Sequence, residues 1–141
     1  MTKVRLGPWL VSAVVHFLLG AVWFTAFSAP WLAGTGKTME QLKQQGSAGA
    51  AYGIAFLGNL VIAYVLARVI ATGQQSARAG ICWGATLGLG IAFAAMVTEF
   101  MFEARPWSFT LISAGYPVDG MVLMGAILGG WKAKALPATG R

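Results

Sequence analysis

Charged residues divide this chain into long apolar blocks. Residues 6–29, 47–68, 79–100 and 107–131 carry between them one charge away from their ends, Asp119. Each block reaches the roughly 20 helical residues needed to cross a hydrocarbon core of about 30 Å. In hydrocarbon every backbone amide must bond inside its own segment or in a closed barrel, and four segments are too few for a barrel. The pattern predicts an all-α, integral membrane four-helix bundle, one domain over residues 1–141, with a single sizeable outer connection at 30–46.

That connection reads "PWLAGTGKTMEQLKQQG", and Thr38 with Gln41 has capping-box spacing, which predicts about two helical turns near the membrane surface. Pro8-Trp9, Pro30-Trp31 and Pro106-Trp107 fall near predicted helix ends, where proline loses no hydrogen bond and tryptophan prefers the interface. Met1 to Arg5 followed by an apolar run imitates a signal peptide. The uncharged stretch continues to Gly36, however, and Pro30 follows the cleavage-like Ala29, so the segment is expected to stay as the first helix.

Composition agrees: 57% of residues are hydrophobic and only 10% charged, against about 25% charged in an average soluble domain. The net charge of +6 is spread as single or paired Lys and Arg at block ends, with no basic stripe. This excludes a nucleic-acid partner and suits anionic lipid headgroups. Lys3, Arg5, Arg68, Arg78, Lys132, Lys134 and Arg141 fall at one set of block ends, and Lys37, Lys43 and Arg105 at the other. The positive-inside rule therefore predicts that both termini are cytoplasmic. One Cys and one His give no intrachain disulfide and no metal spacing, and a bis-His haem would need a second subunit's histidine. No cofactor is expected. No nucleophile-base pair or phosphate loop occurs either, so no enzymatic activity is expected.

Small residues mark where helices meet in lipid, because they let backbones approach closely. In the third block Gly80, Gly84, Gly88 and Ala92 form such a face, with Ala95 and Glu99 continuing it. In the fourth, Gly115, Asp119, Ala126 and Gly130 share a line, which places Asp119 in a groove facing protein; Gly125 and Gly129 form a second pair, for another neighbour or another subunit. The first block presents Trp9, Ser12, Ala13, His16, Gly20 and Trp23 on one side, leaving Leu10, Val14, Phe17 and Leu18 for lipid. The second presents Tyr52, Ala55, Phe56, Asn59 and Ala63.

At 1.5 Å per residue His16, Asn59 and Asp119 all reach the bilayer midplane. Ionisable groups at that depth are costly and face a partner or water. The three are expected to meet, either as interhelical hydrogen bonding or as a centre for protons or a small polar ligand. Pro117 removes its own N–H and frees the Ser113 carbonyl close by. Glu99 and Glu103, spaced i, i+4 at the outer end of the third block, could hold a cation or remain solvated beside Arg105. Candidate ligand- or proton-binding residues are His16, Asn59, Tyr116, Asp119, Trp23, Glu99 and Glu103, with no catalytic or metal set.

Gly20-Ala-Val-Trp23, "AYVLA" at Ala63 to Ala67, Thr98, Phe100 and Phe102 leading to Arg105, "LISAGY" and "MGAILGGW" at Met124 to Trp131 together resemble the domain-of-unknown-function family 1761, small bacterial multi-pass membrane proteins. The resemblance covers most of the chain and implies a compact four-helix protein of the bacterial inner membrane without an assigned reaction. Phe24 stands where the family has tyrosine, and Ser28-Ala29-Pro30-Trp31 where it has a lysine-containing loop. Gly115-Tyr116 belongs to the shared pattern; Pro117 and Asp119 do not. The functional expectation is a homo-oligomer that binds a hydrophobic or lipid-like ligand or a membrane partner. The alternative is a small transporter or proton-coupled channel using His16, Asn59 and Asp119.

Overall fold

The computed structural model describes residues 4–131. Lys3, Lys132, Lys134 and Arg141, which weigh in the orientation count, lie outside the described residues. The described chain is helical, with α1 Leu6–Ala26, α2 Ser28–Thr35, α3 Met39–Gln44, α4 Ala48–Ile70, α5 Ala77–Leu87, a π-helical segment Gly88–Phe93, α6 Ala94–Phe102 and α7 Trp107–Gly130. Leu6–Ala26, Ala48–Ile70, Ala77–Phe102 and Trp107–Gly130 are long and apolar enough to cross a membrane. The chain is an all-α, multi-pass membrane protein built as a four-helix bundle.

Its outer surface is the apolar one. Leu18, Val22, Ile54, Leu57, Val61 and Ile91 are all more than half exposed, whereas Ser12, His16, Asn59, Thr110 and Ser113 are buried. A bilayer solvates the first set and leaves the polar set to one another.

Glycine sets the tightest contact, between the third and fourth spans. A Cβ on Gly80 would strike the Gly125 carbonyl, one on Gly84 the Met121 carbonyl, and one on Gly129 the Ser76 carbonyl. The two backbones touch, so only hydrogen fits there. The π segment then changes the face. Its i→i+5 turns hold an extra residue, so the face that runs through Gly80, Gly84 and Gly88 continues through Met96, Val97 and Phe100, which are partly buried, while Ala95 and Glu99 are exposed. The expected continuation of the glycine stripe to Ala95 and Glu99 is thereby rotated off the interface.

α7 is the central helix, packed against α1, α4, α5 and α2. Ala13, Ala63, Leu66, Ile70, Met124 and Leu128 form the apolar core where α1, α4 and α7 meet. The second and third spans barely touch, and the space between them is a groove of about 260 Å³ with Pro117 and Met121 of α7 in its floor.

At the end of the bundle opposite Leu6, the first span stops at Phe27, and α2 follows with Pro30 in its first turn, where no hydrogen bond is lost. α3 has the predicted capping box: the Gln41 amide N–H donates to Thr38 Oγ1 (3.2 Å) and the Thr38 N–H to Gln41 Oε1 (2.8 Å). Arg105 fastens this cap to the bundle. Its guanidinium donates to the carbonyls of Gly34 (3.3 Å) and Thr35 (3.2 Å), pairs with Glu103 at 2.8 Å, and lies 5.3 Å above the Phe109 ring.

Candidate functional site

His16, midway along α1, is 1% exposed. Its imidazole packs between two features of α7. Gly120 lies beneath it, so close that a Cβ there would collide with Nε2. The Tyr116 ring lies beside it, centroids 4.6 Å apart and tilted by 37°. Tyr116 Oη donates to the His16 backbone carbonyl at 3.0 Å, and the Asn59 side chain interacts with the same phenol. Three spans thus meet at one point of half-membrane depth, held by residues whose spacing on α7 is i, i+4: Tyr116 supplies the ring and Gly120 the room.

Both ring nitrogens at this centre, His16 Nδ1 and Nε2, are buried without a hydrogen bond, and Thr110 Oγ1 and Ser113 Oγ are buried and unbonded at positions ten and seven residues before Gly120 on α7. In either neutral tautomer one imidazole nitrogen donates and the other accepts, so the ring presents one group of each kind to its surroundings. Ser12, by contrast, is satisfied by its own helix, its hydroxyl donating to the Trp9 carbonyl at 2.9 Å.

Asp119 stands apart from this centre. The expectation that it faces the groove and meets His16 and Asn59 does not hold: Asp119 is exposed. The reason is rotational. Adjacent residues on an α-helix are about 100° apart, so if Gly120 lies under the imidazole, Asp119 is turned away from it. The residues that share its side, Leu111, Leu123 and Gly130, are exposed as well. They form a strip of α7 bordered by Trp23 of α1 at Gly115 and by Ala77 of α5 at Gly130. Ala126 and Gly115 lie partly buried within the same strip.

The other candidates separate. Trp23 Nε1 donates to the Ile112 carbonyl at 3.0 Å, pinning α1 to α7 one turn outward of Tyr116. It is a neighbour of the centre through Gly115, not a member. Glu99 is exposed near the C-terminal end of α6, and Glu103 is engaged by Arg105. The two carboxylates do not form a site with a third ligand, since no group of three or more His, Cys, Asp or Glu converges among the described residues.

Thr110 and Ser113 are the buried polar residues of α7 that sequence reasoning misses. Serine and threonine in apolar helices ordinarily bond back to their own helix, so their presence carries no signal. Their i, i+3 spacing, extended through Tyr116, would have drawn the polar face of α7 on the correct side.

No curated protein and no solved structure matches this chain. A family model described as a protein of unknown function, DUF1761, matches residues 8–129. That stretch covers all four spans except Leu6, Gly7 and Gly130 and includes His16, Asn59, Tyr116 and Gly120, and the chain belongs to this family.

Proposed function

We propose that the protein is a non-enzymatic module of the bacterial inner membrane that docks against another polypeptide within the bilayer, a second copy of itself, through the Asp119 strip of α7. The observation that supports this is an exposed carboxylate at half-membrane depth. An Asp facing hydrocarbon at a helix centre costs about 2.5–3.5 kcal/mol, and covering it with protein removes that cost. α7 packs against α1, α2, α4 and α5 on its other sides, apart from the groove over Pro117 and Met121, and Gly115, Ala126 and Gly130 let another helix approach the strip closely. In a parallel two-fold pairing Asp119 faces the partner's Asp119 at its own depth.

A hydrophobic ligand is the weaker form of the same reading. The groove over Pro117 and Met121 is apolar and open to the lipid phase, so surrounding acyl chains fill it without a dedicated ligand.

The test is cross-linking in native membranes. With Cys82 changed to Ser, a Leu123→Cys protein is expected to form disulfide-linked dimers. Leu57→Cys, on the exposed side of α4, is expected not to, and Asp119→Leu added to Leu123→Cys is expected to reduce the yield. Equal yields at the two positions, or no effect of Asp119→Leu, would sink the proposal.

A second reading, a proton-coupled transporter, draws on the unpartnered nitrogens of His16. It predicts proton flux in liposomes that His16→Phe abolishes. The near-complete burial of His16 weighs against it.

A further inference from the structure

We infer that the groove between α4 and the third span takes up an acyl chain of an anionic phospholipid whose phosphate is bound by Arg68. Val61 and Val65 of α4 form one wall of this groove, Leu87 and Ala92 the other, and its volume is about 260 Å³. A cavity of about 150 Å³ already holds a benzene-sized guest. There is room here for a stretch of hydrocarbon chain.

Arg68 is the one charged residue of α4. It follows Val65 by three residues and Val61 by seven, which places it on the same face of the helix, at the end of the groove toward Ile70. Its side chain leans back along α4: Nη1 donates to Tyr64 Oη, one turn before it, at 3.3 Å. The lean carries the guanidinium toward the groove and not off the end of the helix. Among the described residues Tyr64 is its sole side-chain partner and no carboxylate pairs with it, whereas a guanidinium carries five N–H donors. Arg5, Arg68 and Arg78 gather at this end, and Glu40, Glu99 and Glu103 lie toward the other. No protein carboxylate competes there with a phosphate.

Depth fits a lipid. Arg68 stands two residues from the end of α4, and Val61 lies about 10 Å deeper at 1.5 Å per residue. The hydrocarbon of one leaflet is about 15 Å thick, so a phospholipid with its phosphate at Arg68 has the middle of an acyl chain at the groove. Bilayer chains fill an apolar groove whatever their headgroup; Arg68 ranks the headgroups. Basic pockets between membrane helices select anionic lipids in this way. The site is independent of the Asp119 strip, because Pro117 and Met121 in its floor, each two residues from Asp119, lie about 160° round α7 from it.

The experiment is native mass spectrometry of the purified full chain in detergent with phosphatidylglycerol, phosphatidylcholine of the same acyl chains, or inorganic phosphate. Phosphatidylglycerol is expected to bind most tightly and inorganic phosphate not to bind. Arg68→Gln is expected to weaken phosphatidylglycerol about fivefold and to leave phosphatidylcholine unchanged. Arg78→Gln removes the same charge at the same end, but Arg78 is nine residues from Leu87 and so half a turn round α5 from the groove; it is expected to have no effect. Ala92→Phe, which fills the groove, is expected to weaken both lipids, and it tests the site even if Arg68→Gln fails to fold. Equal affinities for the two lipids would overturn the inference, as would unchanged binding in Ala92→Phe. An effect of Arg78→Gln as large as that of Arg68→Gln would also overturn it, since that outcome indicates diffuse surface attraction. Inorganic phosphate bound as tightly as phosphatidylglycerol would overturn the lipid assignment.

Discussion

Gly120 of α7 lies directly under the imidazole of His16, near enough that any side chain at this position meets Nε2. The contact fixes the rotation of α7 about its axis at mid-depth, and through it the outward position of Asp119. Gly120→Ala is therefore expected to destabilise the bundle by about 1–3 kcal/mol, the usual range for overpacking a filled interior. Gly58, on α4, has open space where a methyl group would stand, with nothing within 4 Å. Gly58→Ala is expected to be neutral or to stabilise by up to about 1 kcal/mol. Unfolding midpoints of the two variants in detergent provide the comparison.

The four spans were legible in the sequence because hydrocarbon forbids charge over some twenty residues, and only Asp119 breaks the rule. The Gly80, Gly84 and Gly88 face was legible for a similar reason, since backbone contact admits nothing larger. The rest depends on rotation, which side-chain type marks poorly. "GLGIAF" does not announce a π segment, yet that segment turns Ala95 and Glu99 outward. Gly115, Asp119, Ala126 and Gly130 form a true line on α7, but small residues alone do not say which of two such lines meets the neighbouring span. Tyr116 and Gly120 decide it. α2 is hidden because Pro30 looks like a breaker until its place in a first turn is known.

Arg105 and Glu103 form the ion pair that joins the outer cap to the bundle, but its two members are unequal. Glu103 contributes an exposed partner alone, and such pairs are worth about 0–1 kcal/mol. Arg105 also satisfies the final carbonyls of α2 and covers Phe109. Glu103→Gln is expected to change stability by less than about 0.5 kcal/mol, and Arg105→Gln to lower it by about 1–3 kcal/mol. Proteolysis within residues 36–46, followed by mass spectrometry, should accelerate only in the arginine variant.

Ala104 has φ of +53°, the left-handed region that an L side chain resists. The conformation is imposed by the end of α6, where the Arg105 N–H bonds to the Phe100 carbonyl (2.9 Å) and the Ala104 N–H to the Met101 carbonyl (3.1 Å), a Schellman pair. Glycine adopts this geometry freely. Ala104→Gly is expected to stabilise the protein by about 1 kcal/mol, read as a higher unfolding midpoint without change in oligomeric state.

Tyr116 reaches the His16 carbonyl only because Gly20, one turn along α1, has no side chain: a Cβ there would lie 2.8 Å from Tyr116 Oη. The two residues therefore act as one feature. Tyr116→Phe keeps the ring against His16 and loses the hydrogen bond, which in membrane proteins averages about 0.6 kcal/mol. Gly20→Ala pushes the phenol off the carbonyl and adds a clash, so its loss should be larger, about 1–3 kcal/mol. In the Tyr116→Phe background the oxygen nearest the new methyl is gone, and the closest remaining ring atom stands at 3.1 Å. The double variant is then expected to be less destabilised than the sum of the singles by at least about 0.5 kcal/mol. Strict additivity in unfolding measurements would show that the phenol and Gly20 do not share this contact.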